Sequence, residues 1–260
     1  MCLVLFSYKS HPKYRLVAAA NRDEFYDRPT QPLSFWNQNT GIVGGRDLEC
    51  SGTWLGVTIK GRFAAITNYR EPDRKKTNAP SRGLLVSEFL SGTLGPDRYL
   101  SGVDKSAHLY NGFNLLIGER SALYYYSNRG DGIVELNPGT YGLSNHLMNT
   151  PWPKVEKSRG LFQKALEESE STTDGDKLLD ILDDRILPPD HMLPDTGVGI
   201  EWERILSPVF ITSDNYGTRS SSVIWMEYSG KTTFLERSYD PKKKGEAGSE
   251  TRIFTFQITL

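Results

Sequence analysis

Cysteine is almost missing from this chain: Cys2 and Cys50 are the only two in 260 residues. That scarcity excludes a disulfide framework and a four-cysteine metal site. A Cys2–Cys50 bridge is the single pairing left, and a reducing compartment disfavours it. An excess of basic charge is missing as well, with 31 Lys and Arg against 32 Asp and Glu. A nucleic-acid surface built on phosphate contacts is therefore not expected, and the one lysine run, Lys242-Lys243-Lys244, reads as a solvated loop. Long apolar runs are absent too. The opening Leu3-Val4-Leu5-Phe6 reaches polar Ser7-Tyr8-Lys9-Ser10 too soon for a signal peptide or a membrane span, and no basic segment precedes it. The expectation is a soluble cytoplasmic protein without an integral membrane segment. No internal repeat, low-complexity tract or linker divides the chain, so a single domain over residues 1–260 is expected.

What the chain does contain is short strands. Leu3 to Phe6 and Tyr14 to Ala20 read as a pair joined across Ser10-His11-Pro12, the second apolar enough to be buried on both faces. Gly44 to Asp47 and Gly52 to Thr58 lead into a hairpin turning at Lys60-Gly61, and Phe63 to Thr67 returns to Asn68. Ser81 offers an N-cap to a helix closed by Gly92, with a weaker helix near Asp97. Asn111 to Ile117, Ala122 to Tyr126 and Ile133 to Leu136 form a meander, and another strand runs from Pro138-Gly139 to His146. Thr150 is placed to cap a helix with Pro151 in its first turn and Val155, Leu161, Phe162, Ala165 and Leu166 on one face; a partner helix spans Asp176 to Leu182. Leu187 to Pro194 reads as a surface excursion. Strands then return at Val209 to Thr212, Ser221 to Met226, Thr232 to Glu236 and Arg252 to Phe256. Strands first and last around a central helical block indicate an α+β protein whose sheets pack face to face with helices outside.

The chemistry begins at Met1-Cys2. Methionine is usually trimmed when a small residue follows it, and Cys2 would then carry a nucleophilic sulfur and a free α-amine, with reference pKa values of about 8.5 and about 7.7 to 8.0. The amine could accept the thiol proton without a distant histidine. Taken alone, such a cysteine reads as an accident in a buried edge strand. The next charged stretch is Asn21-Arg22-Asp23-Glu24-Phe25-Tyr26-Asp27-Arg28-Pro29, at the end of a buried strand. Two readings stay open there: a solvated loop with local ion pairs, or buried charges that must be paired.

Met1-Cys2, Asn21-Arg22-Asp23-Glu24-Phe25-Tyr26, Gly52-Thr53-Trp54-Leu55-Gly56, Thr67-Asn68-Tyr69, Tyr110 to Leu115, Tyr141-Gly142-Leu143-Ser144-Asn145 and Tyr216-Gly217-Thr218-Arg219 resemble, in order, the motifs of one family. It is the Asn-Arg-Asp-Glu (NRDE) family, whose eukaryotic member is the transport and Golgi organisation protein 2. Cys50-Ser51 departs from that family's more usual Gly-Gly lead, and no function attaches to Cys50. The family in turn resembles the cysteine branch of the N-terminal-nucleophile (Ntn) hydrolases, among them choloylglycine hydrolases and penicillin V acylases. That resemblance implies a four-layer αββα sandwich and hydrolysis of a non-peptide amide.

Carried over by position, the resemblance implies Cys2 as nucleophile, Arg22 as neighbouring cation, Asn68 and Asn145 as oxyanion donors and Arg219 as a later arginine. The acid that holds the amine is Asp23 or Glu24; the hydrolases separate arginine and aspartate, whereas here both acids follow Arg22 at once. Arg219 has a second reading as an ion-pair partner of Asp23 or Glu24. Hydrolysis would need no cofactor. The same resemblance implies an alternative, a non-catalytic carrier for haem or for acyl-coenzyme A and related lipids, with haem held by the Cys2 thiolate or by His108 or His146. A purely structural module is the third reading.

Overall fold

The computed structural model describes residues 2–36, 40–168, 174–240 and 248–258, with Cys2 described by its backbone. Its strands are β1 (Cys2–Tyr8), β2 (Tyr14–Phe25), β3 (Thr30–Phe35), β4 (Ile42–Asp47), β5 (Leu55–Thr58), β6 (Phe63–Asn68), β7 (Phe113–Gly118), β8 (Leu123–Ser127), β9 (Gly132–Glu135), β10 (Gly139–Leu143), β11 (Tyr216–Glu227), β12 (Lys231–Tyr239) and β13 (Ser249–Gln257). Helices are α1 (Arg82–Ser91), α2 (Pro96–Ser106), α3 (Pro153–Glu167), α4 (Gly175–Leu182) and α5 (Ile200–Leu206). One sheet has the order β10-β1-β2-β11-β12-β13, and the other runs in sequence order from β3 to β9. All pairings in both are antiparallel.

Strand alternation builds the layers. Even positions of the first two strands, Val4, Phe6, Leu16, Ala18 and Ala20, meet Val43, Leu55, Val57, Phe63 and Leu116 of the other sheet. Odd positions, Leu3, Leu5, Val17 and Ala19, meet Phe162 and Leu166 of α3 and Leu178 and Leu182 of α4. On the far side Ala64, Ile66, Leu115 and Ile117 meet Leu85, Val86 and Phe89 of α1 and Leu100 of α2. Both faces of β2 are covered, which is why its apolar stretch does not alternate in polarity. The result is an αββα sandwich. Full burial of each Val, Leu, Ile or Phe among them is worth about 1.5–3 kcal/mol.

Several elements differ from the sequence reading. Helix α3 starts at Pro153 with Trp152 in the capping position, not at Thr150, whose hydroxyl donates to the Leu147 carbonyl at 2.7 Å. Leu161 is 44% exposed and does not share that helix's apolar face. Ser81 does occupy the N-cap of α1, but its side chain makes no capping bond. Residues 209–212 form no strand; a single bridge joins Thr212 to Gly217, and Phe210 N–H donates instead to the Asp184 carbonyl. β3 and α5 were not foreseen. Pro32 inside β3 argues against a strand, yet β3 is an edge strand with a register shift between Gln31 and Ser34, where a missing N–H costs nothing. Lys242 to Lys244 lie outside the described residues.

Candidate functional site

β2 does not end where its polar residues begin. Ladder pairing continues through Asn21, Arg22 and Asp23, which are 1%, 5% and 1% exposed. The solvated-loop reading of this stretch is therefore corrected, because two strands flank β2 and satisfy its backbone. Cys2 stands directly across the ladder from Arg22, and Arg22 from Ser220 of β11.

Alternation then sends the motif's side chains to opposite faces. Arg22 turns into the gap between sheets, where its guanidinium lies 4.2 Å from the Trp54 ring centroid. Asn21 turns toward the helices, donating to the carbonyls of Leu182 at the end of α4 and Val209 at 2.8 and 2.9 Å and accepting from Ser221 Oγ at 2.6 Å. Asp23 faces the same way. Its carboxylate accepts from Thr218 Oγ1 at 2.7 Å, and its carbonyl accepts from the Tyr216 hydroxyl at 3.0 Å. Burial pushes the Asp23 carboxyl above the ordinary carboxylate range, and the positive charges and the Thr218 bond around it offset only part of that rise. Glu24 lies one residue before the strand's end, 3.9 Å from Arg28 and bonded to the N–H of Phe25. Arg28 belongs chiefly to Asp47, at 2.7 Å. Burial opposes both charges, but the bond between them prevails, holding Asp47 below its usual range and Arg28 above its own.

The two asparagines meet across the gap between sheets. Asn145, fully buried beyond β10, donates from Nδ2 to the Asn68 carbonyl at 3.0 Å and accepts the N–H of Arg70 at 2.7 Å. One residue earlier on each side, Thr67 Oγ1 donates to the Ser144 carbonyl at 2.7 Å. Arg70 is clamped in turn, with Nη1 2.6 Å from Glu203 of α5 and its guanidinium 4.9 Å from the Trp152 ring centroid. Thr196 donates to Glu203 from both N–H and Oγ1.

Arg219 sits at a bulge: Thr218 pairs with Asp23 and Ser220 with Arg22, so Arg219 is the extra residue. Its Nη1 donates to the carbonyls of Phe25 and Arg28 at 2.8 and 3.2 Å. The ion pair to Asp23 or Glu24 is not formed among the described residues, because the bulge turns Arg219 toward backbone oxygens. Gly217 just before it is required sterically, since a Cβ there would lie 2.6 Å from the Ile211 carbonyl.

Two cavities flank the Arg22–Trp54 pair. One of about 260 Å³ is lined by Arg22, Asp23, Glu24 and Asn68, together with Arg28, Asp47, Cys50 and Trp54. The other, about 780 Å³, is lined by Arg22 and Trp54 with Arg219, Phe25, Tyr26, Glu236 and Tyr239. Four of the anticipated residues thus share the smaller cavity, Arg219 lies on the larger, and Asn145 stands behind Asn68. His108 is exposed, and His146 is packed against Tyr69 and Trp152 with Nδ1 2.9 Å from Thr150 Oγ1; burial lowers its pKa. Neither lines these cavities. Among the described residues, no cluster of three or more His, Cys, Asp and Glu could hold a metal ion, and no helix is long and apolar enough to cross a membrane.

Sequence reasoning missed Glu236 and Lys154. Glu236 is 1% exposed, accepts the N–H of Leu33 at 2.7 Å, and is pushed above the carboxylate range by burial. Its signal was an acid in register with inward-facing Phe234 of β12. Lys154 signalled itself as a lysine on the buried stripe of α3 that includes Ser158 and Phe162.

A family model described as Transport and Golgi organisation 2 matches residues 1–241. The mouse Transport and Golgi organization 2 homolog is 37% identical, over 99% of this chain and 100% of that protein. The human homolog is 38% identical, over 99% of this chain and 100% of that protein. Among solved structures, the mutant C2A conjugated bile acid hydrolase from Clostridium perfringens superposes with a TM-score of 0.52 at 10% identity, over 100% of this chain and 98% of that one. At that identity the likeness is one of fold, and it is the Ntn-hydrolase fold.

Proposed function

The chain belongs to the Transport and Golgi organisation 2 family, and we propose that it is a cysteine hydrolase of the Ntn type acting on a small or lipid-like non-peptide amide. The observation that carries this reading is the pairing of Cys2 with Arg22 beside a cavity that Arg22 shares with Asp23 and Asn68. With Met1 removed, the Cys2 α-amine takes the thiol proton and the thiolate attacks the amide carbon. Arg22 favours the thiolate, and Asp23, more deeply buried than Glu24, holds the ammonium. Negative charge on the carbonyl oxygen falls to the Asn68 and Asn145 amides, a contribution of about 2.7–4 kcal/mol per donor in comparable sites. When the C–N bond breaks, the amine leaves with the ammonium proton, and water then cleaves the thioester.

The bond from Asn145 to the Asn68 carbonyl supports a preorganised Asn68 at the cavity. Acyl electrophiles should label Cys2 stoichiometrically, Cys2→Ala should abolish the labelling, and N-terminal sequencing should begin at Cys2. An unlabelled protein that retains Met1 would rule the mechanism out.

The larger cavity favours a second reading, a carrier that holds haem or an acyl-coenzyme A as cargo without turnover. Titrating haem and a long-chain acyl-coenzyme A into wild type and Cys2→Ala separates the two: saturable binding without acylation supports a carrier, and no saturable binding removes it.

A further inference from the structure

Glu236 enters the gap between the sheets from β12, on the same strand face as Phe234, and is 1% exposed at the larger cavity. Its Oε1 is occupied, accepting the N–H of Leu33 at 2.7 Å and the Ser238 hydroxyl at 3.3 Å. The Leu33 donor is available because β3 shifts register between Gln31 and Ser34. Ser220 of β11 also acts on the carboxyl. Among the described residues, no lysine or arginine forms an ion pair with it. Arg22 lines the same cavity, but its guanidinium lies over Trp54. A buried carboxylate without a paired cation costs several kcal/mol, and this one faces a space of about 780 Å³.

The walls of that space are unsuited to an aliphatic chain. Among the described residues no Leu, Ile, Val or Met lines it, and most of its apolar surface is aromatic, from Phe25, Tyr26, Trp54 and Tyr239. Asp27 and Asp214 line it as exposed acids; Asp240 and Glu250 line it too, Glu250 with Arg252 at 3.0 Å. Arg219, its second arginine, is turned to the carbonyls of Phe25 and Arg28. A carboxylate among aromatic faces selects an ammonium group, through its charge and through the ring quadrupoles.

We propose that the larger cavity takes an organic ammonium group with Glu236 as its anionic anchor, so that the amide hydrolysed at Cys2 carries a second, cationic amine. The amide half of this statement rests on the hydrolase reading; the ammonium site does not. Burial holds the carboxyl of Glu236 above its ordinary range, and the bonds from Leu33, Ser238 and Ser220 offset only part of that. An arriving ammonium favours the ionised form and expels the proton. Affinity should therefore rise with pH through the Glu236 titration and level off above it.

The test titrates full-length Cys2→Ala, which prevents turnover, with probes of one shape: N-acetylputrescine, the uncharged N-pentylacetamide and the anionic acetamidopentanoate. By calorimetry, N-acetylputrescine should bind saturably and at least about tenfold more tightly than either of the others, the usual effect of one charged hydrogen bond. Adding Glu236→Gln should abolish that preference and leave the affinity for N-pentylacetamide unchanged. Glutamine keeps an oxygen for the Leu33 N–H, so this outcome separates lost charge from lost structure. Between the two proteins the rise of N-acetylputrescine affinity with pH should also flatten; the other acids and arginines of the cavity are common to both. Equal affinity for all the probes, preference for the carboxylate, or no saturable binding of N-acetylputrescine overturns the proposal. If Glu236→Gln does not fold, a ¹³C titration of the Glu236 carboxyl in Cys2→Ala replaces it: saturating N-acetylputrescine should lower the midpoint, and an unmoved midpoint overturns the site. With Cys2 intact, selective binding without release of putrescine sustains the ammonium site and removes the hydrolase reading. Cleavage of N-pentylacetamide as fast as of N-acetylputrescine, with equal affinity for both, does the reverse.

Discussion

Arg22 and Trp54 stack across the gap between the two sheets at 4.2 Å, and both line the cavity of about 260 Å³ and that of about 780 Å³. The arginine comes from the middle of a six-stranded sheet and the tryptophan from the loop entering β5 of the other. Each holds the other in place, since a guanidinium over an indole face combines dispersion with attraction to the ring quadrupole.

Trp54→Ala should therefore open the two cavities into one and destabilise the fold by about 3 kcal/mol, the lower range for deleting a large aromatic. Chemical denaturation measures the loss. Trp54→Phe should recover part of it while keeping the cavities apart, as a crystal structure of each variant would show.

The asparagine pair predicts a split between stability and activity. Asn145→Ala strands the half-buried Asn68 carbonyl and should cost about 1–3 kcal/mol. Asn68→Ala keeps that carbonyl and its bond, so stability should change little. In the hydrolase reading its acylation rate should still fall about 100- to 1,000-fold. Acylation kinetics beside urea melts would expose the split.

Breaking the buried Arg70–Glu203 pair from one side, with Arg70→Met or Glu203→Leu, should destabilise by about 3–5 kcal/mol, because the remaining charge is buried alone. The double variant should recover much of the loss. A double variant no more stable than the worse single one would show that the pair's hydrogen bonds to Thr196 outweigh its charge balance.

Glu236 gives a pH dependence whose sign is set by burial. Its carboxyl titrates above the ordinary value in the folded chain. Between the unfolded and folded pKa values the native state therefore binds the extra proton, so its contribution is present at acid pH and is lost as pH rises through the folded value. Stability of wild type should fall over that interval relative to Glu236→Gln, whose curve should lack the slope. Urea midpoints measured from about pH 4.5 upward, starting near the reference carboxylate value, provide the check; parallel curves would refute it.

Much of this architecture was legible in one dimension. The β1–β2 pair, the hairpin at Lys60-Gly61, the meander and the C-terminal strands follow from short apolar runs bounded by turn residues, which are local signals. Helix α5 and strand β3 were not legible, because a seven-residue helix after Gly199 and a strand containing Pro32 depend on their neighbours for stability. Within the site, the ordered motifs named Arg22, Asp23, Glu24, Asn68, Asn145 and Arg219. They carried no sign of the bulge that turns Arg219 away, nor of Lys154 and Glu236, whose places are filled through contacts distant in the chain.

By itself the sequence determined the class of the fold, the family, and the conjunction of a second-position cysteine with a charged strand. Only the tertiary structure decided that this strand lies inside a sheet, with Arg22 facing one layer and Asn21 and Asp23 the other. The reason is the two-residue period of a β-strand. Neighbouring charges must point in opposite directions, but which direction is inward depends on what packs against each face, and that is set by residues far away in the chain.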